Sequence, residues 1–333
     1  MTIGLGLVGT GRHGTRYAEH IQSEVKDSAL VAVCRRDREK LAEFGQRFKV
    51  AGLYTDYRDL VKDPKVDAVL IVTPNDLHLP IALAAAQRGK HILVEKPIAR
   101  NVNEARAMID AARRHGVKLM VSHNFRFHPL VRRVKALLPS MGTPYLISMC
   151  KRQQRASGWR EDLKASGGGA LMDLGVHLFD QARFLLGSEP KAVFCSTRKV
   201  LGTPIEDSFA SVLEFPGCLV CCDASMCSGT RMDLIEVATD GGQLLADRYG
   251  RLITVAQGAE RMEERLTEPD FTVGLVLKDF VRCIIEDGEP SVTGLDGLRA
   301  VEIAQACYES AKSGRKVGVG SAKSSRRPRL RGR

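Results

Sequence analysis

The stretch Gly9-Thr10-Gly11-Arg12-His13-Gly14 directly follows an apolar run at 2–8, and a helical pattern begins near Arg12. A second apolar run, at 30–34, comes about one helix later, so the glycines lie at the turn of a strand-helix-strand unit. In that context, G-x-G-x-x-G is the fingerprint of a dinucleotide-binding turn. The first glycine permits the tight turn, the second lets the backbone approach a pyrophosphate, and the third allows close helix packing. We therefore expect residues 9–14 to bind the pyrophosphate at the N-terminus of the helix.

The same alternation of strand and helix patterns continues over the first third of the chain. Strand patterns follow at 54–57, 68–72, 91–94 and 117–122, and helical patterns at about 37–48, 57–62, 78–88 and 101–115. Strands that alternate with helices pair in parallel and carry helices on both faces of the sheet. The sequence therefore predicts a doubly wound Rossmann domain over residues 1–122.

A second domain is predicted over residues 123–317, with a different pattern. Helical patterns lie near 129–138, after the glycines at 167–169, at 273–287 and at 294–313. Strand-like runs lie at 144–150, 191–200, 207–215, 218–227, 232–239, 243–247 and 250–256. Because most of these runs succeed one another without intervening helices, we expect an α+β domain with a largely antiparallel sheet.

Composition places the chain among ordinary globular proteins. Its 333 residues are 44% hydrophobic and 27% charged, and no apolar run reaches the length of a membrane span. The first residues enter a strand pattern without a basic, cleavable leader, so we expect no secretory signal. Nine cysteines at irregular spacing are typical of a reducing compartment, and we expect the cytoplasm.

The net charge of +11 is concentrated at one end of the chain. Residues 318–333 carry six Lys or Arg side chains and no acid, among Ser, Gly and Pro. Too few apolar residues are present there to form a core, so a disordered basic tail is expected. No basic-aromatic pattern accompanies it, and we predict no specific nucleic-acid partner.

The end of the second strand pattern indicates which dinucleotide is preferred. An NAD-preferring site usually has an acid there to bind the ribose, whereas this chain has Cys34-Arg35-Arg36-Asp37. Guanidinium groups pair with a 2′-phosphate that a carboxylate would repel. We therefore predict NADP(H), held by Arg35 and Arg36, with NAD(H) as the alternative cofactor. In that alternative, Arg35 points to solvent and Asp37 takes the ribose.

Two further segments carry ionisable groups of catalytic type. Glu95-Lys96-Pro97 ends the strand pattern at 91–94 and places an amine at the carboxyl edge of the sheet, where ligands bind. Asp173 and His177 are four residues apart on a predicted helix and share one face. Histidine is the commonest general acid or base, and a neighbouring carboxylate can orient it. On spacing alone, both pairs also fit ordinary surface ion pairs.

The chain resembles the Gfo/Idh/MocA oxidoreductases, which include glucose-fructose oxidoreductase and inositol dehydrogenase. The likeness extends from about residue 2 to residue 317 and lies in the order and spacing of Gly9-Thr10-Gly11, Thr73-Pro74-Asn75 with His78, Gly89-Lys90-His91 with Glu95-Lys96-Pro97, and Arg126-Phe127. It implies a Rossmann domain followed by an α+β domain whose open-faced sheet forms subunit contacts. Arg35 departs from the pattern, since NAD-using members tend to have an acid there.

The resemblance implies a catalytic trio of Lys96, Asp173 and His177 that acts on a sugar or polyol. His177 would move the hydroxyl proton, Lys96 would bind the same oxygen, and Asp173 would bind a neighbouring hydroxyl and hold His177 in register. The sequence leaves open whether Lys96 carries the proton instead. The resemblance also implies a cis bond between Lys96 and Pro97. Because the trio comes from both domains, we expect the active site in the interdomain cleft.

Other site residues are predicted around this trio. The cofactor-binding set is completed by Glu95, Lys96 and, beside the nicotinamide half, Thr73, Pro74, Asn75 and His78. Four residues are expected at the substrate cleft: Asn124, Arg126, Trp159 and Arg160. The cysteines at 218, 221, 222 and 227 lie on a strand pattern that sends neighbours to opposite faces, so we expect buried side chains and no metal site.

The expected partners are a small-molecule substrate and further copies of the chain, as a homodimer or homotetramer formed through the C-terminal sheet. Two other functions remain open at this point. One is an NAD-dependent glycoside hydrolase that keeps its cofactor tightly bound. The other is a regulator without catalysis, which would be expected to lose the trio that this chain retains.

Overall fold

A computed structural model describes residues 2–154, 158–268 and 271–320. The basic end of the chain from residue 321 lies outside these ranges, and with it most of the predicted tail. Within the described ranges no helix combines the length and the apolar character needed to cross a membrane.

The first domain is a sheet of parallel strands with helices on both faces, as predicted. The strands are β1 (Ile3–Val8), β2 (Ser28–Cys34), β3 (Gly52–Tyr54), β4 (Ala68–Ile71), β5 (His91–Glu95) and β6 (Leu119–Ser122). The helices are α1 (Arg12–Glu24), α2 (Arg38–Phe48), α3 (Tyr57–Leu60), α4 (His78–Gln87) and α5 (Val102–Arg114). The strand order is β3-β2-β1-β4-β5-β6, and each neighbouring pair is parallel.

The order of the strands creates the crevice that the glycine turn borders. The chain runs outward from β1 to β2 and β3 on one side, then returns to place β4, β5 and β6 on the other. Every residue of β1 and β4 is buried, as in the central strands of a sheet covered on both faces. At this reversal the loops after β1 and β4 separate, and a ligand can enter between them.

The second domain has a larger, largely antiparallel sheet, which confirms the predicted α+β class. Its strands are β7 (Pro144–Gln154), β8 (Ala192–Arg198), β9 (Ser208–Phe215), β10 (Cys218–Ser225), β11 (Cys227–Thr239), β12 (Gly242–Asp247), β13 (Leu252–Gln257), β14 (Glu260–Arg265) and β15 (Val317–Gly318). Its helices are α6 (Pro129–Leu137), α7 (Leu163–Ser166), α8 (Val176–Leu186), α9 (Thr272–Ile285) and α10 (Gly294–Ser313). The strand order is β14-β13-β12-β11-β7-β10-β9-β8-β15, and the central pair β7–β10 is parallel.

Two edge strands were absent from the sequence-based prediction. Strand β14 reads Glu-Arg-Met-Glu-Glu-Arg and lacks apolar alternation, because an edge strand that faces solvent need not bury one side. Strand β15 is only two residues long and pairs with β8 through Val317. The chain therefore stays within the second sheet one residue past the predicted domain end.

One face of this second sheet displays apolar side chains and is covered by no helix of the described residues, and we call it the open face. Helices α8 and α10 cover the opposite face. The strand registers place a set of exposed side chains together on the open face: Leu146, Phe194, Val212, Leu219, Met232 and Leu245. The alternation also holds for the cysteines, since Cys222 is buried whereas Cys221 reaches the open face.

Candidate active site

The glycine turn between β1 and α1 is shaped for close backbone packing and an open helix end. Gly9 has a φ of +102°, and a Cβ there would lie 2.1 Å from the Val72 carbonyl oxygen. A Cβ on Gly14 would lie 2.0 Å from the carbonyl oxygen of Gly9. A Cβ on Gly11 would meet no atom within 4 Å, and Gly11 caps α1 without a side-chain hydrogen bond. The first N–H groups of α1 therefore remain available to an anion, and these residues fit a dinucleotide pyrophosphate.

A cleft of about 790 Å³ extends from this turn to the second domain. It is lined by nearly all of the predicted cofactor residues: Gly9, Thr10, Gly11, Arg12, His13, Gly14, Arg35, Arg36, Thr73, Pro74, Asn75, Glu95 and Lys96. Trp159, Arg160 and Asp173 line it from the second domain. Asn75 joins the two domains at this wall, because its side-chain amide donates to the Ser166 carbonyl oxygen at 2.7 Å.

Cations dominate the end of the cleft beside β2. The Arg35 guanidinium donates to the Thr10 carbonyl oxygen at 3.1 Å, which places it against the glycine turn. Arg58 lines the same cleft, with its guanidinium 4.9 Å from the ring centre of Tyr57, and was missed in the sequence. Asp37 is absent from the lining, since its carboxylate caps α2 by accepting from the Lys40 backbone N–H at 3.1 Å.

Glu95 joins the end of β5 to helix α1. Its Oε1 lies 2.8 Å from His13 Nε2 and accepts from the Tyr17 hydroxyl at 2.5 Å, while its Oε2 accepts from the Lys96 backbone N–H at 3.1 Å. Burial alone would raise the pKa of Glu95, but His13, Tyr17 and Lys96 together lower it to about 2. The carboxylate therefore fixes the base of the loop that carries Lys96.

Replacing Glu95 with glutamine should flatten the acid dependence of stability. The lowered pKa means that the carboxylate stabilises the fold above its ordinary pKa of 4.5, and that this stability is lost as the pH falls towards about 2. The free energy of unfolding should drop by about 3 kcal/mol across that window in the parent protein, and by less in the variant. Urea unfolding between pH 2 and 7 measures it, with the exposed Glu43→Gln as control. If the free energy of unfolding changed equally with pH in the parent and in Glu95→Gln, the lowered pKa of Glu95 would be contradicted.

Lys96 reaches across the cleft to the second domain. Its Nζ donates to Asp173 Oδ1 at 2.8 Å and to the Asp173 carbonyl oxygen at 2.9 Å, and the Lys96–Pro97 bond is cis, as expected. Arg160 Nε lies 3.9 Å from Asp173 Oδ2, with its guanidinium over Trp159. Burial would raise the pKa of Asp173, but Lys96 and Arg160 lower it. The ammonium group is thus held at the cleft wall by a charged carboxylate.

Asp173 lies in a π-helical turn, Leu171–Gly175, which runs directly into α8. This turn is anchored by Glu206, whose Oε1 accepts from the backbone N–H groups of Gly169 and Leu171 at 3.1 and 3.0 Å. Such turns often occur at functional sites, where they shift the position of one side chain within a helix. The sequence predicted a regular helix here, because a π turn has no distinct sequence pattern.

His177 lies behind the cleft wall and does not line the cleft itself. The residue is 8% exposed, and the centre of its ring lies 4.6 Å from the centre of the Phe125 ring. Its Nδ1 is buried without a hydrogen-bond partner among the described residues. Burial, followed by the charges of Lys96 and Lys151, holds the pKa of His177 well below its ordinary value. The imidazole is therefore neutral near pH 7. The Asp173 carboxylate pairs with Lys96 and Arg160.

Besides His177, three predicted site residues are absent from the cleft lining. His78 is fully buried, with Nδ1 3.0 Å from the Pro97 carbonyl oxygen and Nε2 3.1 Å from that of Thr73, so it braces two loops beneath the cleft. The side-chain amide of Asn124 donates to the Thr272 hydroxyl at 2.8 Å. Neither residue lines the cleft.

Arg126 is the third of these residues, and its side chain belongs to a buried ion-pair network. Its guanidinium makes two hydrogen bonds to Asp180, at 2.9 and 2.7 Å, and one to Asp296 at 2.8 Å. Asp180 is 1% exposed, and a buried carboxylate requires a paired charge. The arginine is therefore committed to Asp180 and turned away from the cleft lining.

A charged group that the sequence analysis missed lies beside His177. Lys151, on β7, is buried and ion-paired with Asp233, which also accepts from Arg248 Nε at 2.8 Å. The sequence held one sign of this, since Lys151 occupies an inward position of an alternating strand after Ile147 and Met149.

No three His, Cys, Asp or Glu side chains come together as a metal site in the described part of the chain.

Comparisons with known proteins identify the family. The profile "Oxidoreductase family, NAD-binding Rossmann fold" matches residues 3–123, and "Oxidoreductase family, C-terminal alpha/beta domain" matches residues 142–319. Myo-inositol 2-dehydrogenase of Thermotoga maritima is 28% identical over 94% of this chain and 97% of its own length. NADP(+)-dependent D-xylose 1-dehydrogenase of Haloarcula marismortui is 28% identical over 83% of this chain and 82% of its own.

A solved structure shows the same architecture over nearly the whole chain. Aldose-aldose oxidoreductase from Caulobacter crescentus, complexed with glycerol, superimposes with a TM-score of 0.89 at 27% identity. The match covers 96% of this chain and all of the other. Both domains, the glycine turn and the cleft between them thus agree with the two matching profiles, and the chain belongs to the Gfo/Idh/MocA family of NAD(P)-dependent oxidoreductases.

Proposed function

We propose that the protein transfers hydride between NADP(H) and a carbinol or carbonyl carbon of a sugar, polyol or related small molecule. The observation that carries this proposal is the contact between Lys96 and Asp173 at the wall of the cleft that begins at the glycine turn. It puts an ammonium group at the meeting point of the two domains, where a small substrate would face the cofactor. The inositol and xylose dehydrogenases among the relatives support the substrate class.

The chain's own residues would act on the substrate oxygen and its proton. A bound dinucleotide supplies the ring that accepts or donates the hydride. Lys96 has three N–H donors and gives two to Asp173, which leaves one to stabilise negative charge on the substrate oxygen. Neutral His177 would accept the hydroxyl proton through Nε2, since Nδ1 is the buried nitrogen. In the other arrangement, Lys96 itself carries the proton.

The preference for NADP(H) is supported by the charges at the β2 end of the cleft. Arg35, Arg36 and Arg58 all line it there, and guanidinium groups pair well with a phosphate. Asp37, the residue that would otherwise bind the ribose, caps a helix outside the lining. The 2′-phosphate would therefore meet Arg35 and Arg36, while Arg58 is ion-paired with Asp56, whose carboxylate also lines the cleft.

A panel of sugars, inositols and their keto forms, assayed with NADP⁺ and NADPH, tests the proposal directly. We expect at least one compound to change the NADPH absorbance with net oxidation or reduction. Cleavage of a glycoside without consumption of added cofactor would favour the hydrolase alternative. Binding of the dinucleotide without turnover of any compound would favour a regulator and count against an enzyme.

We also propose that the protein forms homodimers or homotetramers through the open face. Leu219 is 47% exposed and pairs with Leu146 in the centre of the sheet, so this apolar surface would remain in water in a single chain. A second copy would cover it with the same surface.

Leu219→Lys should therefore reduce the mass of the particle in solution. A charge at the centre of an apolar contact loses its hydration when the contact forms, and this opposes association. Light scattering after gel filtration measures the mass, and Leu295→Lys, at an exposed leucine away from the open face, is the control. A parent protein of monomer mass would refute this assembly.

A further inference from the structure

A buried charge cluster lies beside His177, and its residues do not line the cleft. It consists of Lys151, Asp233 and Arg248, and we call it the inner charge cluster. Lys151 is 4% exposed and Asp233 is 2% exposed. Lys151 Nζ pairs with Asp233 Oδ2, and Arg248 Nε donates to the same oxygen at 2.8 Å.

Phe125 connects this cluster to His177. The Lys151 ammonium lies 4.3 Å from the centre of the Phe125 ring, and the Arg248 guanidinium carbon lies 4.8 Å from it. The same ring is 4.6 Å from the ring centre of His177. Cation–π contacts fix the phenyl ring, and the phenyl ring fixes the imidazole. The cluster therefore reaches His177 through a single side chain.

The inner charge cluster carries one more positive than negative charge. Asp233 is shared by two cations, so neither has a carboxylate of its own. A buried cation without full compensation is expensive in a hydrophobic interior, where an apolar side chain would stabilise the fold as well or better. Such a cation can still be useful, because its positive charge acts on a neighbouring ionisable group, here His177.

We propose that Lys151 is a positioning residue that, through the fixed Phe125 ring and its own charge, holds His177 in place and keeps it ready to accept the substrate proton. This inference rests on the proposed function of Lys96 and His177.

The charges around His177 come from every side of the site. Lys96 follows β5, His123 follows β6, Lys151 lies on β7 and Arg248 follows β12, while Asp173 lies on the turn before α8. Three carboxylates pair with these groups: Asp173 with Lys96, Asp233 with Lys151 and Arg248, and Asp180 with His123. Burial lowers the pKa of Lys151 to about 8, so it is still mainly protonated at pH 7. Removing that charge makes protonation of His177 easier.

The test compares two neighbouring residues on the same strand. Lys151→Met removes the inner cation, whereas Arg152→Met removes a cation that pairs with Asp223 on the other face of the sheet. In the pH profile of kcat/KM for alcohol oxidation, the acid limb of Lys151→Met should move up by about 0.5–1 pH unit. The limb of Arg152→Met should stay at the parent position.

Arg248→Met provides the second variant if Lys151→Met fails to fold. It removes the other cation while Asp233 keeps its partner Lys151, and its acid limb should move in the same direction. Folded variants whose limbs coincide with the parent limb would overturn the inference. That result leaves the proposed function intact, since the function fails only if Lys96 and His177 prove dispensable for turnover.

Discussion

Lys96→Met should reduce turnover by ~10²-fold or more, the scale of a positioned acid–base or oxyanion group. Methionine preserves much of the side-chain volume but donates no hydrogen bond to the substrate oxygen. It also leaves the Asp173 carboxylate without its partner at 2.8 Å. Dinucleotide binding should change far less, because the glycine turn and the arginines beside β2 are untouched.

His177→Ala should produce a loss of similar size. The imidazole packs against Phe125 and is neutral near pH 7, the form in which it can accept a proton in the proposed mechanism. Steady-state kinetics on the best substrate of the panel measure both variants. The controls are Lys90→Met and His115→Ala, which replace the same residue types outside the cleft lining.

The two variants also distinguish the two proton carriers. If His177 is the base, an added amine or imidazole buffer should restore part of the activity of His177→Ala and leave Lys96→Met inactive. The reverse pattern would assign the proton to Lys96. Near-normal turnover in both variants would refute the catalytic assignment altogether.

Replacing Arg35 and Arg36 together with alanine should raise the KM for NADPH by about 100-fold or more, since each charge-assisted hydrogen bond to a phosphate contributes about 1.5–3 kcal/mol. NADH has no 2′-phosphate, so its KM should change little. Arg38→Ala is a matched control, because Arg38 is exposed at the start of α2 and does not line the cleft.

The same measurement can refute the cofactor preference. Fluorescence titration of the parent protein with NADPH and NADH should show tighter binding of NADPH. Equal or tighter binding of NADH would overturn it. If the double variant bound NADPH and NADH equally weakly, the arginines would instead support the fold of the glycine turn. Arg35 already donates to the Thr10 carbonyl oxygen in that turn.

The residues predicted for the site are of two kinds: some lie at strand ends and line the cleft, and others have side chains that pair in the interior. Gly9, Gly14 and Lys96 were identified from their place at strand ends, because chain order alone sets the carboxyl edge of a parallel sheet. Arg126 and His78 carry similar polarity, but their side chains turn into the interior and pair there. No local pattern distinguishes these two cases, since the partner Asp180 is 54 residues from Arg126.

The sequence by itself determined the class of both domains, the glycine turn at residues 9–14 and the lysine at the end of β5. These features follow from periodicity and from the steric needs of glycine, which act over a few residues. Only the tertiary structure decided that Lys96 pairs with Asp173, that a π turn positions this carboxylate, and that Lys151 reaches His177 through Phe125. Those contacts join residues from different domains and strands, so their energies depend on distances that arise only when the chain has folded.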